Sequence, residues 1–338
     1  MANSPHHRFP VANRSYLNLA KQGITRLAEE CGLTPAEVGK VAIVVSELAS
    51  NLIKHTPQGG ELLAKPLAED ETAGIEILSL DNGAGMRDPN RMMEDGVSTA
   101  GSMGEGLGAI RRLSDEFDLY SGPDLGTVIL SRLYRGGRAP KSPRSGSFRA
   151  IMVPLAGESV SGDGWALTGP PERRALLVVD GLGHGPEAHL AASEAIRVFT
   201  REAGGPPAGV LRILHDSLRP TRGAVGMVAV LSPAENRLVH CGVGNVAGRL
   251  FFPDGAAHLI SYHGTLGYSL PNPLTDHPSP WNESAVLVVH SDGLKTKWDL
   301  RKYPGLPRHD PSVIAGVLYK DHTRKTDDVL VVVGKRNQ

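Results

Sequence analysis

The run Gly136-Gly-Arg-Ala-Pro-Lys-Ser-Pro-Arg-Ser-Gly146 carries no large apolar side chain and concentrates glycine, proline, serine and positive charge. Such a stretch can contribute nothing to a core, and its composition is that of an exposed linker. It divides a chain of 338 residues, too long for one ordinary domain, into units 1–135 and 147–338 around a linker at 136–146. Each unit has enough patterned apolar sequence for a core of its own, so each is expected to fold alone.

In the first unit, Leu17, Leu19, Ile24 and Leu27 recur among polar residues across Asn13–Cys31, which predicts a helix. Thr34-Pro-Ala-Glu37 opens a second helix running through Ile53, with Thr34 at the N-cap, Pro35 first in the helix and Glu37 placed to close a capping box. Glu61–Leu67 and Gly74–Leu80 read as strands, Gly106–Asp118 as a helix, and Leu119–Ser121 with Thr127–Leu133 as closing strands. The implied layout is helices on one face of a mixed sheet. Beyond the linker the texture changes to short apolar runs at Arg149–Leu155, Trp165–Thr168, Ala175–Val179, Val225–Leu231, Arg237–Cys241, Gly248–Phe252, Val286–His290 and Val329–Val333. Two helices interrupt them, Glu187–Glu202 and Ala208–Leu218, and the pattern predicts a two-sheet sandwich flanked by helices.

Charge narrows the partners. Lys plus Arg equals Asp plus Glu at 36 each, so no global basic field draws the chain to nucleic acid or an anionic membrane. Cys31 and Cys241 have neither zinc nor CxxC spacing and fit a reduced compartment. Met1–Pro10 has no apolar signal region and no run of 18 apolar residues occurs, so the expectation is a cytoplasmic protein.

The chemistry-bearing residues fall into two sets. Glu47 and Asn51 are four apart on the second helix, so they share a face, where a carboxylate can activate a nucleophile beside a metal held by the amide oxygen. The strand Ile75–Leu80 runs into Asp81-Asn-Gly83-Ala-Gly85, whose carboxylate can accept from an exocyclic amine while the glycines admit a flat base. A second glycine cluster, Gly101-Ser-Met-Gly104-Glu-Gly106-Leu-Gly108, precedes a helix and offers N–H groups to an anion. In the second unit, Asp180-Gly181-Leu-Gly-His-Gly185 and Asp292 end apolar strands, and Asp163 and Asp327 lie at strand edges. Converging carboxylates repel unless cations neutralise them, and all-oxygen donors, the Gly181 carbonyl included, suit Mg2+ or Mn2+.

With these motifs assembled, residues 10–135 resemble a GHKL ATPase of the Bergerat fold: Glu47-xxx-Asn51 is similar to its N box, Asp81–Gly85 to its G1 box and Gly104–Gly108 to its G2 box. Ser46–Asn51 and Arg112–Asp118 followed by Gly126-Thr127 look most like the switch and anti-sigma serine kinases of the RsbT type. The resemblance implies ATP and Mg2+ as cofactors, Asn51 as Mg2+ ligand, Glu47 as general base for a protein hydroxyl and Asp81 as adenine reader. Gly83, Gly85, Gly104, Gly106 and Gly108 would line the nucleotide, with Thr127 near the base. Residues 147–335 resemble the SpoIIE/RsbX branch of the PPM protein phosphatases, on Asp180–Gly185, Ser161-Gly-Asp163, Ser291-Asp-Gly-Leu294 and Thr326-Asp-Asp328. That resemblance implies that Asp163, Asp180, the Gly181 carbonyl, Asp292 and Asp327 hold two Mn2+ or Mg2+ ions, with Asp180 and Asp292 essential to hydrolysis. Two departures stand out: Gly164–Leu167 lacks a further acid, and Leu330 replaces a hydroxyl residue.

The expected fold is therefore α/β (α+β): a GHKL/Bergerat α/β sandwich followed by a PPM-type α-β-β-α sandwich. The expected function is a serine/threonine kinase joined to a phosphoserine/phosphothreonine phosphatase, acting on a STAS-domain or sigma-regulatory partner. The alternative is a nucleotide-gated binding module with a degenerate phosphatase as sensor.

Overall fold

A computed structural model of the chain describes residues 4–69, 72–93, 106–137, 139 and 147–336. Most of the 136–146 linker and all of Gly101–Glu105, with Gly104, lie outside the described residues. The first unit contains β1 (His7–Val11), α1 (Arg14–Glu30), α2 (Pro35–His55), β2 (Gly60–Glu69), β3 (Thr72–Asp81), α3 (Pro89–Met92), α4 (Gly106–Leu113), β4 (Glu116–Gly122) and β5 (Gly126–Tyr134). The capping box at Thr34 forms as its spacing requires, with Thr34 accepting from Glu37 N–H and Glu37 accepting from Thr34 N–H.

The described strands make a sheet of order β1-β2-β3-β5-β4 in which every pairing is antiparallel, so the expectation of a mixed sheet is corrected. Two elements account for the difference. β1, formed by a polar N-terminal segment without strand patterning, pairs antiparallel with β2. The helix expected over 106–118 stops at Leu113, because Ser114 turns its hydroxyl back onto the Ile110 carbonyl and Asp115 N–H bonds Arg132 O at 2.9 Å, drawing Glu116–Gly122 into the sheet.

The second unit contains β6 (Ser147–Val153), β7 (Asp163–Thr168), β8 (Arg174–Gly181), α5 (Pro186–Glu202), α6 (Pro207–Leu218), β9 (Ala224–Ser232), β10 (Arg237–Val243), β11 (Ala247–Phe252), β12 (Gly255–Leu259), β13 (Ser261–Tyr262), β14 (His277–Pro280), β15 (Val286–His290), α7 (Pro311–His322) and β16 (Val329–Lys335). One sheet runs β13-β10-β9-β8-β7 with β14 also on β10, and the other β12-β11-β15-β16-β6. Their facing side chains, among them Met152, Trp165, Val178, Met227, Leu287 and Val332, form the sandwich core, and α5 and α6 cover the outer face of the first sheet.

Helix α7 is absent from the sequence expectation and organises the molecule. It covers the outer face of the β6/β16 sheet with one side and the helix-free face of the first unit's sheet with the other. A single apolar cluster joins Leu63, Leu78, Leu80, Val128 and Leu130 of the first unit to Ile151, Val288, Val331 and Val333 of the second through Val313, Ile314, Val317 and Leu318. The layers read α–β–α7–β–β–α. The two units therefore share this cluster in addition to the cores that each has of its own.

A buried ionic network fastens the same seam. Arg132 spends its guanidinium on Glu76 (2.8 Å), Glu116 (2.7 Å), both oxygens of Asp310 and the Ser312 hydroxyl. Glu76 also receives His6 and Lys65, and the Lys65 ammonium donates to Ala150 O across the junction. Burial would raise the Glu76 carboxyl, but the Lys65 and Arg132 charges hold it well below the usual carboxylate range.

Candidate functional sites

The nucleotide site is built where α2 passes the end of β3. Glu47 and Asn51 lie on one face of α2 and aim at the start of α4: a Cβ on Gly106 would sit 3.0 Å from Glu47 Oε2 and 3.8 Å from Asn51 Oδ1. A side chain at Gly106 would thus fill the space these two polar groups open onto. Asp81 ends β3 directly opposite Thr127 of β5, and its Oδ1 accepts Gly83 N–H at 2.8 Å. Burial pushes the Asp81 carboxyl up, partly offset by the Gly83 and Thr127 N–H donors and the Lys320 charge. The Thr127 hydroxyl is buried and within 3.0 Å of Ser121 Oγ. Gly85 takes φ +69° with its Cβ position 1.9 Å from Gly122 O, so only glycine lets the loop cross the β4–β5 hairpin this closely. Gly108 is buried in α4 against α2. The structure sets Glu47 and Asn51 against Gly106, and Asp81 against Gly83 and Thr127, with the Gly83 Cβ position 3.1 Å from the His55 carbonyl at the end of α2. An acceptor carboxylate beside backbone donors, next to a carboxylate–amide pair facing a glycine helix start, suits a purine and a magnesium-bound phosphate chain.

The acid cluster lies at one end of the sandwich. Asp163 opens β7 and pairs in register with Asp180 on β8. Gly181 follows with its Cβ position 2.3 Å from Ala188 O, a close approach that seats the start of α5 beside the acids. Burial, together with the neighbouring Asp180 and the acids Asp328 and Asp327, raises the Asp163 carboxyl well above its usual value. Burial and the charges of Asp292, Asp327 and Asp328 push Asp180 up to about 8, and burial with Asp327 raises Asp292. The donor set is all oxygen, so by their chemistry these residues suit hard divalent cations. Among the described residues no group of three His, Cys, Asp or Glu side chains is placed to hold one metal ion. His184 stands outside the acid cluster, half exposed and bonded to Glu158 at 2.7 Å.

Three further residues hold these acids in place: Asp328 and Ser291, which stand in the quoted motifs, and Asn245, which stands in none. Asp328 is buried and accepts Leu155 N–H and Gly162 N–H, both at 2.8 Å, tying the β6–β7 connection to the start of β16. Ser291 donates to Asp163 Oδ2 at 2.7 Å and accepts Leu330 N–H at 3.0 Å, supplying a hydroxyl beside the position where Leu330 lacks one. Asn245 donates to Asp292 Oδ2 at 2.7 Å. The pairing Asp327-Asp328 was visible as a motif; nothing in the local sequence marked Asn245.

The fold is that of a histidine-kinase-like ATPase domain joined to a PP2C-type domain. Residues 10–132 match the histidine kinase-like ATPase domain family, and residues 170–301 match the stage II sporulation protein E (SpoIIE) family. The serine/threonine-protein kinase RsbT of Bacillus subtilis (strain 168) is 34% identical over 110 residues, 32% of this chain and 82% of RsbT. Through this segment, about a third of its length, the chain belongs to the RsbT family. A chain from a structural study of the bacterial stressosome superposes with a TM-score of 0.52 at 25% identity, covering 56% of this chain and 99% of that one. The PP2C domain of SpoIIE from Bacillus subtilis, with a fragment of its regulatory domain, shares the fold at a TM-score of 0.50 and 17% identity over 96% of both chains. The protein thus combines an RsbT-like kinase domain with a SpoIIE-type phosphatase domain. Among the described residues no helix is long and apolar enough to cross a membrane.

Proposed function

We propose that this chain sets the phosphorylation state of a STAS-domain partner from both directions. The first domain transfers the γ-phosphoryl group of Mg-ATP to a serine or threonine hydroxyl, and the second removes phosphate from phosphoserine or phosphothreonine. The observation that supports the reading is that one chain carries two polar constellations, Glu47 and Asn51 facing Gly106 in the first, and Asp163, Asp180, Asp292 and Asp327, near enough to raise one another's carboxyls, in the second.

In the kinase site Asp81 and Thr127 hold the adenine edge, Asn51 offers its amide oxygen to Mg2+, and Glu47 takes the proton of the incoming hydroxyl. Catalysis there rests on positioning and charge neutralisation. In the phosphatase site Asp163, Asp180, Asp292, Asp327 and the Gly181 carbonyl hold two Mn2+ or Mg2+ ions, which when bound supply an activated water and neutralise the phosphoryl oxygens. Ser291 and Asn245 orient Asp163 and Asp292, and Asp328 fixes the two loops that present the acids. The units 1–135 and 147–338 are assigned to these two activities, with 136–146 as the connection.

The test incubates the full chain with candidate STAS proteins and labelled ATP, then follows the label after adding Mn2+ or EDTA. Transfer to a serine or threonine, followed by Mn2+-dependent release, is expected. Release that survives EDTA, or a stable complex without any transfer, would overturn the corresponding half.

A further inference from the structure

The nucleotide loop receives a side chain from the other domain. Lys320, near the end of α7, places its ammonium on Asn82 Oδ1 at 2.8 Å and on the Leu125 carbonyl at 3.0 Å, and its third donor goes to Asp321 at 2.5 Å. Asn82 follows the adenine-reading Asp81, and Leu125 lies in the β4–β5 hairpin that Gly85 crosses. Lys320 thereby clips together the two backbone segments that frame the base. Its side chain is 4% exposed, so it is held in this place.

The other end of the connection is as closely tied. Directly after Lys320, the carbonyl of His322 accepts Lys295 N–H at 2.9 Å and Arg324 N–H bonds Gly293 O at 2.8 Å. Leu294 and Thr323 form a β-bridge between these bonds. The stitched partner is the loop that carries Asp292, and Asp327 and Asp328 immediately precede the strand that follows, β16. The Cβ position of Gly293 is 1.9 Å from Asp328 O, so the two acid-bearing segments pack backbone on backbone. A shift of the α7 terminus cannot be absorbed between them without moving one acid relative to the other.

We propose that Lys320 is a positioning residue for the nucleotide site, supplied by the phosphatase domain, and that through it nucleotide occupancy and the conformation of the Asp292 and Asp327 segments are coupled. This rests on the nucleotide-site reading above. Nucleotide binding orders the Asn82 loop, which fixes Lys320, which holds the α7 terminus and the hydrogen bonds at Lys295 and Arg324. By linkage the effect is reciprocal.

The test is calorimetric titration with ADP and amide hydrogen exchange of the full chain at constant Mg2+, with and without ADP. In the wild type ADP slows exchange at the Lys295 and Arg324 amides by about fivefold or more. Lys320→Met, which keeps the apolar stem, raises the ADP Kd roughly tenfold, as loss of a charged hydrogen bond to the loop requires, and reduces the distant protection to less than about twofold. Asn82→Ala, at an exposed position that does not threaten folding, removes the distant protection in the same way. Wild-type ADP binding that protects the Asn82 loop and leaves Lys295 and Arg324 unchanged overturns the coupling. Tight ADP binding by Lys320→Met overturns the positioning role. Absence of any ADP binding by the wild type overturns the nucleotide-site reading itself, and this inference with it.

Discussion

Glu76 is an ionised carboxylate with no exposed surface, and the groups around it make sharp demands. His6 donates to it through Nε2 while Nδ1 accepts Met152 N–H, so the ring is held neutral, and burial lowers its pKa to about 4. A depressed histidine leaves the unfolded chain holding the extra proton between pH 6.5 and about 4, so the fold loses stability as pH falls through that window. From pH 7 to pH 5 this group alone removes about 2 kcal/mol. Urea midpoints of wild type and His6→Gln at both values check it; an equal pH response in the two chains would exclude His6 as a source. At the kinase site, Glu47→Ala keeps nucleotide affinity and loses roughly 10²–10⁴-fold in transfer, because a general base is removed and no base contact is. Asp81→Asn does the reverse, weakening ADP in a calorimeter. At the acid cluster, Asp180→Asn relieves repulsion, so the metal-free protein melts no lower than wild type. Mn2+ at about 100 Kd adds about 2.7 kcal/mol to the wild type alone, read as a thermal shift. These candidates were legible in sequence because Asp81, Asp180 and Asp292 stand at the ends of apolar runs, and Glu47 shares a helix face with Asn51 through their four-residue spacing. Asn245 was not, because its partner Asp292 is set by tertiary contact.

Among the elements, α7 decides most. A helix signals itself by alternating an apolar with a polar face, and Pro311–Tyr319 is buried on all sides, so no such stripe exists to read. Eight strands of the sandwich, by contrast, were placed within about two residues because their apolar runs end at turn residues, whereas the edge strands β12, β13 and β14, short and partly exposed, carry no such run. β1 was missed for the opposite reason: its residues are largely exposed, and its pairing with β2 comes from the sheet, not from its own pattern. The start of α7 is pinned by Asp310, which caps Ser312 N–H and binds Arg132. Arg132→Met therefore leaves Glu76 and Asp310 buried or half-buried without their main donor and costs about 3–5 kcal/mol. Chemical denaturation measures this, and adding Glu76→Gln to Arg132→Met is expected to recover part of the loss. A loss below about 0.5 kcal/mol would mean that the seam is held by apolar contact alone.

On the scale of the whole molecule, the shared cluster lays α7 across both units, each with a core of its own. A fragment ending at residue 136 exposes Leu63, Leu78, Leu80, Val128 and Leu130, which α7 covers in the intact chain. That fragment is expected to bind a hydrophobic dye and to self-associate, where the full chain does neither. A soluble, cooperatively melting fragment would show that the sheet face tolerates water. The linker composition that suggested independence is real, but a loop's polarity reports only its own surroundings and says nothing about a helix far along the chain. That distance has a consequence for biosynthesis. The nascent chain emerges from the ribosome with the outer face of its first sheet uncovered, and the helix that covers it is made only after the phosphatase strands β6–β15. At roughly 5–20 residues per second this leaves an interval on the order of ten seconds or more. The kinase domain cannot reach its final packing before nearly all of the phosphatase has been translated, so a truncated product carries no matured kinase free of its opposing activity.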